Sequence, residues 1–122
     1  MAAPYFAADP SATVSKAAVR AADLLGFSQA ELAAALGVSR ATASRLVAGK
    51  YQLEPTRKEW ELALLFVRLF RSLDAIAGHG AEARTWLRGA NRALGQAPAE
   101  LATSAEGLVR VVQYLDAVRG RV

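Results

Sequence analysis

Apolar residues recur along the chain with helical spacing, in runs separated by glycine or proline stops. In residues 13–25, Val14, Ala17, Ala18, Ala21, Leu24 and Leu25 repeat at i, i+3, i+4 and i+7, which places them on one helix face. Gly26 supplies the stop. Ser28-Gln29-Ala30-Glu31 reads as a capping box: the serine oxygen accepts from the amide three residues on, and the glutamate reaches back to the serine amide. The short helix that follows runs to Leu36 and ends at Gly37, a residue suited to a left-handed turn. Ser39 is the next N-cap, for a third helix reaching about Ala48 and stopped by Gly49.

Pro55-Thr56 opens a long fourth helix, with Thr56 and Glu59 in capping-box relation. Leu62, Leu64, Leu65, Phe66, Val67, Leu69, Phe70 and Leu73 leave it only a narrow polar face. A helix that is apolar nearly all round needs partners on several sides. Gly78-His79-Gly80 ends it, and a fifth helix spans 81–88. A turn-rich stretch over 89–99 holds Asn91, Gly95 and Pro98. The last helix begins near Thr103 or Ser104, continues to about Arg119, and carries the stripe Leu108, Val111, Val112, Leu115 and Val118. No strand pattern is evident, so the expected fold class is all-α. The expected organisation is a tail over 1–12, a helix-turn-helix unit over 13–54, a long linking and dimerisation helix over 55–79, and a small helical C-terminal unit over 80–122.

The segment 28–50 carries the most specific pattern. Small Ala33 stands four residues before Gly37, where two short helices must approach closely, and Leu32, Leu36, Val38, Ala43, Leu46 and Val47 supply apolar contacts. This is the helix-turn-helix arrangement, whose second helix enters the major groove of DNA. With Ala43, Leu46 and Val47 inward, Arg40, Ala41, Ser44 and Arg45 face outward. Arginine bonds bidentately to guanine, and an alanine methyl meets the thymine methyl. Gln29 and Ser39 stand at helix N-termini, where phosphate is favoured, and Lys50 follows as a further phosphate contact. The other reading of the same residues is a helical hairpin used only for packing, with solvated arginines.

Charge changes the picture slightly. The net charge is +4. Between Ser28 and Lys58, Arg40, Arg45, Lys50, Arg57 and Lys58 outweigh Glu31 and Glu54, as a phosphate-facing patch requires. The chain has no cysteine, which removes disulfides and thiolate metal sites. The stretch 60–76 is too short and too charged to span a bilayer, and the N-terminus has no basic and apolar leader pattern. The expectation is therefore a cytoplasmic protein that does not engage membranes.

Catalysis finds no support. His79 is the one histidine and sits between two glycines. Glu59 and Glu61 lie two apart on a helix and diverge. No strand precedes a glycine-rich phosphate loop. The expectation is a binding protein without metal or cofactor.

The segment 28–50 resembles the Xre-type repressor helix-turn-helix. Trp86-Leu87, Asn91, Leu94, Gly95, Pro98, Leu101, Ser104, Glu106-Gly107, Val111, Leu115 and Gly120 resemble, in order and spacing, the toxin-binding domain of the Xre/MbcA/ParS antitoxins. Ala90 stands where that family often has proline, and Ala102 where leucine is frequent. The resemblance implies a type II toxin–antitoxin system. The chain would bind and block a RES-domain toxin, which degrades NAD or transfers ADP-ribose, and would repress its own operon on double-stranded promoter DNA. Trp86 and Asn91 fall within the toxin-binding motif. Arg110, Gln113 and Tyr114 of the last helix, with Arg119, Arg121 and Val122 at its end, are expected to meet the toxin, because the apolar stripe leaves them free. Leu62, Leu65, Phe66, Leu69 and Phe70 are expected to pair with the same helix of a second copy. A dimeric repressor without a toxin, or an interaction module that has lost DNA binding, remains the alternative.

Overall fold

The computed structural model describes residues 9–120. Its elements are α1 (Pro10–Leu25), α2 (Gln29–Leu36), α3 (Arg40–Val47), α4 (Lys58–Ala77), α5 (Ala81–Arg88), α6 (Pro98–Leu101) and α7 (Ala105–Gly120), with no strand among the described residues. The all-α expectation holds. The helix starting at Pro10 begins earlier than the sequence pattern suggested. Asp9 accepts from the Ser11 amide at 3.0 Å, and Pro10 occupies the first turn, where its missing N–H leaves no bond unmade.

The buried face of α1 is also rotated from the expected one. Ser15, Ala18, Ala21, Ala22 and Leu25 are buried, while Val14, Ala17 and Leu24 are half-buried. Ser15 goes inside because its hydroxyl accepts from the Leu53 amide at 2.8 Å, and the Ser11 hydroxyl donates to the Leu53 carbonyl. These two bonds tie the loop after α3 to α1.

The boundaries of α2 and α3 follow the local signals. Glu31 N–H donates to Ser28 Oγ at 3.1 Å, and the Ser28 amide donates to Glu31 Oε1 at 2.9 Å. Gly37 adopts φ 71°, and the Val38 amide reaches the Ala33 carbonyl at 3.0 Å. Any side chain at Gly37 would be strained in that left-handed conformation. Ser39 caps α3 by accepting from the Thr42 amide at 3.0 Å.

The capping box expected between Thr56 and Glu59 does not form. Arg57 is the N-cap of α4 and makes no side-chain cap bond. Glu59 is buried instead, accepting from the Tyr51 hydroxyl and from the Glu54 amide, the latter at 2.9 Å. A longer-range partner has outcompeted the local one. Glu54 takes the role at Thr56, whose hydroxyl it holds at 3.2 Å.

Helix α4 is the central element, packed against α1, α2, α5 and α7. Phe66, Leu69 and Leu73 are almost wholly buried, and one core cluster runs from Ala18 through α4 to Leu115. The halves before and after Gly78 therefore share one hydrophobic core. Between α5 and α7 the structure adds α6, a short helix where the sequence pattern predicts a turn-rich stretch over 89–99 and no helix before Thr103 or Ser104. Helix α7 lies against it through Gly107, where an added Cβ would stand 2.0 Å from the Leu101 carbonyl oxygen.

Arginines weld the second half to the first. Arg88 of α5 donates to both Glu31 carboxylate oxygens, at 2.6 and 2.9 Å, and to the Gly26 carbonyl at 2.8 Å. Its guanidinium also lies 5.5 Å from the Phe27 ring centroid, within cation–π range. Arg84 donates to the Leu24 carbonyl at 3.2 Å. No helix of the described residues is long and apolar enough to cross a membrane.

Candidate functional site

Ala43 and Leu46 anchor α3 to the core, which turns Arg40, Ala41, Ser44 and Arg45 to solvent. This is the orientation that the sequence pattern required. Val47 departs from it: expected inside, it is 40% exposed, standing on the outer side of the last turn while its neighbour Leu46 takes the buried position. Gln29, Ser39 and Lys50 are exposed as well. The Ser39 hydroxyl is already occupied, capping α3 and donating to Thr42 Oγ1 at 3.0 Å. What α3 can offer a phosphate at Ser39 is therefore the backbone amides of its first turn. Arg45 leans on Thr42 Oγ1 at 3.5 Å, a contact too long to hold it against a better acceptor.

The two short helices keep their relative placement through Gly37 and through the first turn of α2. That turn is braced from the other half of the chain by Arg88. The guanidinium beside Glu31 holds its carboxyl well below the usual carboxylate range, at about 2. Glu31 thus caps α2 and carries the inter-half ion pair at once.

A groove that sequence reasoning missed runs beside this unit. It encloses about 720 Å³ between α1, the start of α2 and the end of α3. Lys16, Arg20 and Asp23 of α1 line it together with Ser28, Gln29 and Val47. The i, i+4, i+7 spacing of the three α1 residues was readable in the sequence. Which way that stripe points was not, because an alanine-rich helix has a poorly defined apolar face.

In the second half, Trp86 and Tyr114 stack with ring centroids 6.2 Å apart and planes 15° from parallel. Both are half-buried, so their outer edges form an aromatic plate between α5 and α7, with exposed Gln113 neighbouring Tyr114 in sequence. Three expected contact residues make hydrogen bonds within the chain. Asn91 Oδ1 accepts from the Leu94 amide at 3.0 Å, and its carbonyl accepts from Gly95 at 2.8 Å, so Asn91 shapes a turn. Arg110 donates to the Leu94 carbonyl at 3.1 Å and Arg119 to Ser72 Oγ at 3.1 Å. Those arginines are exposed, and each already makes one hydrogen bond within the chain. Arg121 and Val122 lie outside the described residues.

Three of the five residues expected at a dimer contact are taken up inside the chain, and two are partly open. Leu62, Phe66 and Leu69 are buried in the chain's own core, and Leu65 and Phe70 are half-buried against it. Within the chain, α4 is covered by α1, α2, α5 and α7. What α4 leaves outside is Leu64 and Ile76, 45% and 42% exposed. His79 pairs with Asp74 at 2.8 Å on the surface, and the described residues contain no group of three His, Cys, Asp or Glu side chains able to hold a metal ion.

Comparison with known families gives two matches. Residues 6–68 match the antitoxin Xre-like helix-turn-helix domain. Residues 72–121 match the antitoxin Xre/MbcA/ParS C-terminal toxin-binding domain. No curated protein matches the chain.

Proposed function

Because the chain belongs to the Xre/MbcA/ParS-type antitoxins, we propose that it neutralises a RES-domain toxin with its second half and represses its own operon with α3. As an antitoxin it acts by binding. The NAD chemistry in this reading belongs to the toxin, and the chain needs no metal or cofactor of its own. The observation that carries the DNA part is the presentation of Arg40, Ala41, Ser44 and Arg45 by a helix anchored through Ala43 and Leu46. Arg40 and Arg45 read base edges, and Lys50 meets phosphate.

The toxin part is supported by the Trp86–Tyr114 plate with Gln113, a surface of the residue type that dominates interface energies. The end of α7, with Arg121 and Val122 beyond it, is the segment we assign to the toxin's cleft. A cleft that holds an anionic dinucleotide is blocked sterically by such an end, and acidic groups in the toxin would pair with Arg121. Homodimerisation belongs to the same reading, since two copies present two α3 helices to a palindromic operator. Its contacts would fall to exposed surface such as Leu64.

The test combines both activities. The toxin encoded beside this chain is mixed with it, NAD consumption is followed, and the same preparation is titrated with its upstream duplex and a scrambled duplex. Inhibition of NAD loss and preference for the upstream duplex are expected. Arg40→Ala or Arg45→Ala is expected to cost about 1–3 kcal/mol on the upstream duplex only. Equal loss on both duplexes removes base reading. Undiminished NAD loss at saturating antitoxin removes neutralisation of such a toxin.

A further inference from the structure

We infer that the groove beside the helix-turn-helix is a seat for the sugar–phosphate backbone of duplex DNA, held by Lys16 and Arg20 of α1. This deepens the reading of α3 as a DNA-facing helix and rests on it.

The first argument is continuity. Arg40, Ser44 and Val47 share one stripe of α3 at i, i+4 and i+7. Arg40 and Ser44 belong to the surface offered to base edges, and Val47, at the end of that stripe, lines the groove. Gln29, at the start of α2, lines its other side. A duplex whose major groove receives α3 must pass a backbone strand along one flank of that helix, and here the flank is concave and bounded by α1.

The second argument is charge. Lys16 and Arg20 are exposed, and among the described residues neither takes part in an ion pair. They stand one turn apart, about 6 Å along the helix, so each can meet its own phosphate. Asp23 lies one turn further along the same wall and opposes them. The wall thus carries two cations and one anion over a floor of Val19, Phe27, Leu32 and Leu46, and the anion gives the inference a test of opposite sign. A protein partner of acidic character would also see Lys16 and Arg20, but it would not make their contribution follow the salt law of duplex DNA.

The experiment measures the affinity of the full chain for two duplexes of equal length, its own upstream sequence and a scrambled one, between about 50 and 200 mM salt. Lys16→Gln and Arg20→Gln keep a good helix former at exposed sites, and thermal melting run in parallel confirms that each remains folded. Each variant is expected to lower the slope of log K against log salt by about 0.9, and at roughly 0.1 M salt that slope corresponds to a loss of about eightfold. The loss is the same on both duplexes, because phosphate contacts carry no sequence information. Asp23→Asn is expected to tighten both. Unchanged slopes in Lys16→Gln and Arg20→Gln, while Arg40→Ala and Arg45→Ala lose their preference for the upstream duplex, overturn this inference and leave the α3 reading standing. Wild-type protein that binds neither duplex overturns both.

Discussion

Replacing Gly107 with alanine sets two effects against each other. Alanine is the better helix former by up to about 1 kcal/mol in a helix interior, and Gly107 is the third residue of α7, so the gain there is smaller. Against this, the new methyl would stand 2.0 Å from the Leu101 carbonyl oxygen and 2.7 Å from its carbonyl carbon. Ordinary contact lies near 3.5 Å, so α6 must retreat from α7 by roughly 1 Å or more. The groups that move with it, Pro98, Ala99, Leu101 and Ala102, are buried. Forcing an extra methyl into such packing costs about 1–3 kcal/mol, and a backbone obstacle puts this case at the upper end. The net expectation is a loss of about 2 kcal/mol. For 122 residues, 1 kcal/mol is worth roughly 4 °C, so Tm should fall by about 8 °C. Gly120→Ala is the control, since a Cβ there meets nothing within 4 Å. Circular dichroism melts of the two variants decide it. A Gly107→Ala protein that melts with the wild type would show that α6 and α7 do not depend on this close approach.

Three further outcomes are expected. Arg88→Ala should cost about 1 kcal/mol near neutral pH, a value set by partial exposure of the pair. The folded-state pKa of Glu31 is depressed to about 2, so the pair's stabilisation is present above the ordinary carboxylate range and disappears as pH falls toward 2. Urea melts from pH 6 downward should show wild type and variant converging, and a constant gap would refute the pairing. Tyr51 ionises above its ordinary value, chiefly because it donates to Glu59. Ultraviolet titration should show a late tyrosinate step that is absent in Tyr51→Phe and moves down in Glu59→Gln; a step unmoved by Glu59→Gln counts against that bond. Finally, deleting Arg121 and Val122 should leave melting and DNA affinity intact and weaken inhibition of the toxin's NAD consumption. Full inhibition by the shortened protein would show that these residues do not form the block.

The legible parts of the fold were those whose signals act over three or four residues. Ser28 with Glu31, and Gly37 with Ala33, specify α2 and the turn into α3 without help from the rest of the chain. The start of α4 was misread because Glu59 is claimed by Tyr51 and Glu54 across the loop, a competition that no local pattern reveals. The apolar girth of α4 was visible, but not its occupants. A second copy and the chain's own α7 leave the same pattern in sequence, and only the fold assigns Phe66 and Leu69 to the interior. The outward face of α3 could be read from the sequence, whereas Lys16 and Arg20 could not be placed beside it. At the C-terminal surface, periodicity told which side chains of α7 face out. It could not tell that Arg110 and Arg119 already hold a carbonyl and a hydroxyl.

The two family matches end and begin at residues 68 and 72, inside the unbroken helix Lys58–Ala77. What divides as sequence is thus physically one rod, and its buried side chains Phe66, Leu69 and Leu73 lie on both sides of the seam. Cutting there yields no pair of independent pieces: each fragment keeps part of a helix and exposes the core that the other part covered. Exchange of halves between relatives must therefore carry the whole of α4 with one parent and match it to the α1 and α7 surfaces of the other. Arg88 and Glu31 must also come as a pair. The boundary between the two recognised parts is thus a boundary of sequence description and not of physical structure.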